Sequence, residues 1–197
     1  MPDVKHFDPD AALEQVEHLF WRRGPASTGM AEVVAATGLS RSSLYATFGG
    51  KQELYVKALR RYVEQRSRPV FERLSGDERG LPAVEDFFHQ LILTRCAGEH
   101  ARWGCMVANA HAEAEGADAE VLRVLDLHQE QLRTAMRAAL GAALAKGQLR
   151  AGLDLDATAD LLALLAYGVN VRSRAGADAA RLRAAASAAL NPLRSQR

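Results

Sequence analysis

Arg41, Ser42, Ser43, Tyr45 and Thr47 sit close together in the chain and carry hydroxyl, phenol and guanidinium groups, which suit hydrogen bonding better than bond making. If the segment is helical, Leu44 and Phe48 fall four apart on a buried face and leave these groups, with Ala46, around the outside. A face so small and polar can enter the major groove of DNA and donate to base edges and phosphates, with Arg41 and Tyr45 reaching furthest. A second set of reactive types lies in WGCMVANAHAE, residues 103–113, where Cys105 accompanies Asn109, His111 and Glu113. A thiol is reactive only when its pKa is lowered and it is accessible; otherwise it packs as an inert core residue. His89, His100, His111 and His128, with Glu113 and the two cysteines, match neither C-x-x-C nor H-E-x-x-H spacing, so no metal site is expected. There is no G-x-S-x-G, and Gly49-Gly50-Lys51 lacks both the first glycine of a phosphate-cradling loop and a preceding strand. No catalytic residue and no cofactor is expected.

The elements that must position the first set are written in the flanking residues. Thr28 is suited to cap a short helix from about Gly29 to Thr37, in which Met30, Val33 and Val34 recur at helical spacing. Gly38 can take the left-handed conformation that closes it, Leu39 supplies an apolar contact in the turn, and Ser40 caps the next helix, Arg41 to about Phe48. Gly49-Gly50 breaks the chain again, and an arginine-rich helix is expected from about Lys51 to Leu74. Two short helices joined by a tight turn and followed at once by a third are the pattern of a helix-turn-helix DNA reader.

The run G-L-S-R-S-S-L-Y-x-x-F-G-x-K-x-x-L, from Gly38 to Leu54, resembles the recognition helix and following helix of the tetracycline-repressor (TetR) family of bacterial transcriptional regulators. The resemblance implies that Ser42, Ser43, Tyr45 and Thr47 face DNA, that Lys51 meets a phosphate near a helix N-terminus, and that Thr28 holds the cap position of the second helix. Ala46 and Thr47 depart from the larger, often basic or aromatic residues common there, and Gly29 stands where a hydroxyl residue often grips the backbone. The segment from Trp103 to Glu113 is similar to a G-C-x-x-x-N-x-x-x-E signature in one group of these regulators, at a sixth helix between reader and effector cavity.

The charge distribution agrees with a reader near the N-terminus. The formal net charge is +1, but residues 21–73 carry ten Lys or Arg against four Glu, while residues 74–197 carry fourteen against fifteen acids. The basic surplus is the footprint expected of a surface that meets phosphates, or else an ordinary solvated face. Acidic residues and the lack of an apolar core segment at the N-terminus argue against a signal peptide, so a cytoplasmic location is expected. The longest nearly apolar stretch, Leu161 to Val171, falls well short of the roughly 20 residues that span a bilayer. Cys96 and Cys105 are not expected to pair in a reducing compartment.

An all-α fold of about nine helices is expected: a helix-turn-helix domain over residues 1–50, a linking helix 51–74, and a ligand-binding and dimerisation domain over 75–197. Asp8 or Asp10 should cap a first helix with Leu13, Val16, Leu19 and Phe20 as its apolar stripe, after a frayed arm from Met1 to about Phe7. Further helices are expected at about Pro82 to Ala97, Gly104 to Glu115 and Ala117 to Lys146, then after Asp154 to Asp156 and over Asp178 to Leu193. The run LLALLAYGVNV is apolar nearly all round, which demands cover on more than one side, either within the chain or at a dimer seam. Trp103, Met106, Asn109 and His111, with Phe88 and Ile92 and their neighbours Phe87 and Leu91, are candidates for a ligand pocket or for core. The expected function is a homodimeric, effector-responsive regulator that binds a double-stranded operator. The alternative is a helical small-molecule or thiol sensor, with Cys105 its candidate thiol, that no longer recognises a specific operator.

Overall fold

The computed structural model describes residues 7–113 and 118–195. Of the expected N-terminal arm all but Phe7 lies outside these residues, as do the expected helix ends at Glu115 and Ala117. The described residues are all-α: nine helices in chain order and an isolated antiparallel bridge between Leu149 and Arg194. They are α1 (Pro9–Arg23), α2 (Met30–Thr37), α3 (Arg41–Phe48), α4 (Lys51–Tyr62, a π-helical turn Val63–Ser67, then Arg68–Ser75), α5 (Leu81–Cys96), α6 (Met106–Ala112), α7 (Ala119–Ala145), α8 (Leu155–Arg174) and α9 (Ala179–Leu190).

Local chemistry sets most of these boundaries. The Asp8 carboxylate accepts from the Asp10 amide at 2.9 Å, and Asp154 accepts from the amides of Asp156 and Ala157 at 3.0 and 3.1 Å. Ser40 Oγ accepts from the Ser43 amide at 3.1 Å to start α3, and Gly38, at φ 67°, closes α2 in the left-handed conformation expected of it. One cap differs from expectation. The N-cap of α2 is Gly29, not Thr28: Glu32 reaches back to accept from the Gly29 amide at 2.8 Å, while the Thr28 hydroxyl turns inward and donates to Gly24 O at 2.8 Å. The π-turn in α4 has its cause in Pro69, which has no N–H to donate to the Gln65 carbonyl, so the helix widens just before it.

Two groups of side chains form the core. One joins α1 to the first half of α4 through Val16, Phe20, Trp21, Val33, Leu44, Phe48, Leu54 and Tyr62, and continues into Cys105–Ala110 and the start of α7. The other packs the second half of α4, α5, α7, α8 and α9 around Phe71, Phe88, Leu132, Met136, Leu140, Leu162 and Leu190. The helix-turn-helix domain is thus seated on α6 through α1 and α4. In α7 the expected stripe is buried at Val121, Leu125, Leu132, Met136 and Leu140, whereas Leu122 and Leu144 are exposed.

Candidate functional site

The outer face of α3 presents the expected groups. Leu44 and Phe48 are buried, Arg41, Ser42, Tyr45 and Ala46 are exposed, and Ser43, Thr47 and Lys51 are half-buried. Ser42 and Ser43 share the Ser40 hydroxyl at 2.9 Å each, so both are oriented before any partner arrives. Lys51 opens α4, where the first amides of a helix favour an anion. Lys57 reaches back to the last turn of α3, donating to Phe48 O at 2.8 Å. Thr28 does not belong to this surface: it is buried, and its hydroxyl is spent on Gly24.

Behind this surface lies a polar joint that sequence reading missed. Glu17 of α1 is 0 % exposed and accepts from both Arg61 and Arg66 of α4 at 2.7 Å. Arg66 also meets His18 at 2.7 Å and stands 5.0 Å from the centre of the Trp21 ring. Trp21 Nε1 donates to Gly104 O at 3.0 Å, and Arg174, in the last turn of α8, donates to the carbonyls of Trp103, Trp21 and Arg22 at 2.8, 3.3 and 3.3 Å. The C-terminal end of the reader's first helix is thereby tied to α4, to the loop before α6 and to α8 at once. Gly104 is required here: at φ 70°, a Cβ would lie 3.0 Å from Asn109 Oδ1 and 3.2 Å from Asn170 O.

A cavity of about 350 Å³ opens between α4, α5, α6, α7 and α8. Its apolar wall is Val70, Phe71, Leu74, Phe87, Leu91 and Leu132; its polar groups include Arg66, Ser67, Arg95, Cys105, His128, Tyr167 and Asn170. Of the residues singled out in the sequence as pocket or thiol candidates, Phe87, Leu91 and Cys105 line it. Phe88 and Ile92 face the core on the other side of α5, so the wall falls one position earlier, on Phe87 and Leu91. Met106 is buried in the reader's core, and Trp103 packs into the joint, its ring 5.1 Å from Trp21. Asn109 braces the loop before α6 by donating to Trp103 O at 2.9 Å, and His111 is exposed with its ring 5.2 Å from Tyr167. None of these four lines the cavity.

The polar end of the cavity is connected. His128 bonds the Tyr167 hydroxyl through Nδ1 at 3.1 Å and the Ser67 hydroxyl through Nε2 at 3.2 Å, so the last residue of the π-turn faces the cavity. Burial pushes the Cys105 thiol up, but hydrogen bonding and charge from His128 and the charge of Arg95 outweigh it and bring the thiol to about 6. Burial pushes the Tyr167 phenol up, with Cys105 adding to the shift. The signal for Glu17 and His128 was present in the sequence. Glu17 falls on the same helical face as Leu13, Val16 and Phe20, and His128 on that of Val121, Leu125 and Leu132, where a polar residue calls for a buried partner.

A capped helix-turn-helix braced against an all-helical body with an internal cavity is the arrangement of a DNA-binding regulator. Comparison with known proteins agrees. A family model described as bacterial regulatory proteins, tetR family, matches residues 12–58, and one for the tetracyclin repressor-like C-terminal domain matches residues 80–189. The chain belongs to the TetR family and is a DNA-binding transcriptional regulator, not an enzyme. It is 29% identical over 155 residues to the uncharacterized regulator YezE of Bacillus subtilis (strain 168), covering 79% of each chain. It is 26% identical over 180 residues to the transcriptional repressor ComR of Escherichia coli (strain K12), covering 90% of this chain and 85% of that one. A cysteine mutant of the regulator CifR, solved with 26bp operator DNA, superposes with a TM-score of 0.83 at 26% identity, covering 97% and 99% of the two chains.

Proposed function

We propose that the protein is a homodimeric repressor that reads a palindromic operator with α3 of each protomer and releases it when a small molecule fills the cavity. Arg41, Ser42, Ser43, Tyr45, Thr47 and Lys51 would make the DNA contacts, and the cavity, rather than the expected Phe88, Ile92, Trp103, Met106, Asn109 and His111, would hold the effector. The observation that carries this reading is the exposed polar face of α3 over a buried Leu44–Phe48 seam. The cavity supports the second half, since a concave, mostly apolar space with a few convergent polar groups suits a small ligand.

Dimerisation is supported by α8, where Leu161, Leu164 and Val171 are exposed at helical spacing and Leu164 is 63% exposed. The neighbouring face of α9 exposes Ala180, Ala184 and Ala188, small residues that permit close approach. Two readers are also what half-sites about 34–36 Å apart demand. Residues 1–50 would form the reader, 51–74 the linking helix and 75–197 the sensing and dimerising body. An effector that favours a different arrangement of the body would change reader spacing through α4 and the joint. Work on genomic DNA implies a cytoplasmic location; no described helix is long and apolar enough to cross a membrane.

The test is operator binding by Tyr45→Ala and Lys51→Ala, with dimer state followed by sedimentation. Both variants should stay dimeric and bind about tenfold or more weakly, and Lys51→Ala should lower the salt slope by about one. Wild-type affinity in both at physiological salt would contradict the assignment. A second reading makes Cys105 the sensor, favoured by its place in the cavity wall and its thiol at about 6.

A further inference from the structure

The cavity gathers more positive charge than its own acids neutralise. Arg79 pairs with Asp77 at 2.6 Å and with Asp86 at 2.7 Å, so both acids of the cavity lining are engaged at its rim. Arg66 is held by Glu17, which does not line the cavity and is shared with Arg61. Arg95 has no carboxylate partner among the described residues: Nε donates to Asn170 Oδ1 at 2.7 Å and Nη2 to the Tyr62 hydroxyl at 3.1 Å. The guanidinium carbons of Arg66 and Arg95 stand 5.0 and 5.7 Å from the centre of the same Trp21 ring. Arg95 is thus held by an amide, a phenol and an indole face rather than by a carboxylate, which leaves its guanidinium open to an anion that enters the cavity.

Resting on the reading of this cavity as the effector site, we propose that its ligand is an apolar monocarboxylate. Its head group pairs with Arg95 and approaches Arg66, and its hydrocarbon body lies along Phe71, Phe87 and Leu91. A carboxylate is the planar anion that a guanidinium grips through two parallel hydrogen bonds. Arg95 also helps to lower the Cys105 thiol in the same wall, so the head group competes with that thiolate for the guanidinium. The head group also competes with Glu17 for Arg66, so a filled cavity slackens the ion pair that ties α1 to α4. Ligand chemistry and release of the reader thereby meet at one side chain.

The experiment compares octanoate, octanol and octylamine on the full-length protein at pH 7.5, by calorimetry and by fluorescence of the two tryptophans, Trp21 and Trp103. Octanoate should bind about tenfold or more tighter than octanol, as a charge-assisted pair requires. Arg95→Gln, with helicity checked by circular dichroism, should erase that preference, and Arg95→Lys should restore part of it. Octanol or octylamine binding as tightly as octanoate would overturn the carboxylate and leave the cavity as a ligand site. A preference that survives Arg95→Gln would overturn the role of Arg95, and binding by none of the three would overturn the effector-site reading itself.

Discussion

The joint and the cavity share residue types and even one side chain, Arg66, yet their charges balance in opposite ways. In the joint, a fully buried Glu17 is gripped by two arginines, and Arg174 spends its donors on backbone carbonyls. In the cavity, Arg95 leans on an amide and a phenol and meets no carboxylate among the described residues. A saturated polar cluster holds a shape, whereas an unsaturated one awaits a partner. Reader and cavity are joined where the two kinds of cluster touch.

The largest expected effect separates these roles by stability. Glu17→Gln leaves two arginines without their acid and should cost about 3 kcal/mol in urea unfolding, at the lower end for a broken buried pair because Arg61 and Arg66 reach solvent. Arg95→Gln, which removes a charge that lacks a counter-charge, should cost less than about 1 kcal/mol. Equal losses would erase the distinction between joint and cavity.

The smaller effect sharpens the cavity side. In a Cys96→Ser background, alkylation of Cys105 by iodoacetamide should rise with pH as the thiol ionises, with a midpoint at about 6, because the thiolate is the nucleophile. Arg95→Gln removes one of the charges that lower the thiol, so its midpoint should move upward. A midpoint near the ordinary thiol value would contradict the geometry of this wall. If DNA affinity is unchanged after Cys105 is shown to be modified, the thiol-sensor reading fails while the cavity stands.

The reader was legible in the sequence because its determinants are local. Gly38, Ser40, Leu44 and Phe48 specify a turn, a cap and a buried seam within a dozen residues, and each does so in the structure. Thr28 misled for an equally local reason: two adjacent residues, a threonine and a glycine, can both start a helix, and Glu32 three residues beyond Gly29 decides between them. The cavity was not legible because five helices build it. Phe87, Phe88, Leu91 and Ile92 all read as lining or core, but nothing local sets whether Phe87 or Phe88 faces the core, and the choice moves the lining by one residue. Glu17, Arg95 and Arg174 find partners 44, 75 and 71 positions away, pairings that only the assembled bundle reveals.

The central claim, that α3 reads a specific sequence in pairs, is tested most directly by selecting from a pool of random DNA duplexes with the full-length protein at physiological salt. The expected result is enrichment of a palindrome whose half-sites are one helical turn or a multiple of it apart, lost in Tyr45→Ala. Retention of duplexes with no common sequence, released uniformly as salt rises, would contradict it and leave a sensor that binds DNA only through its charge.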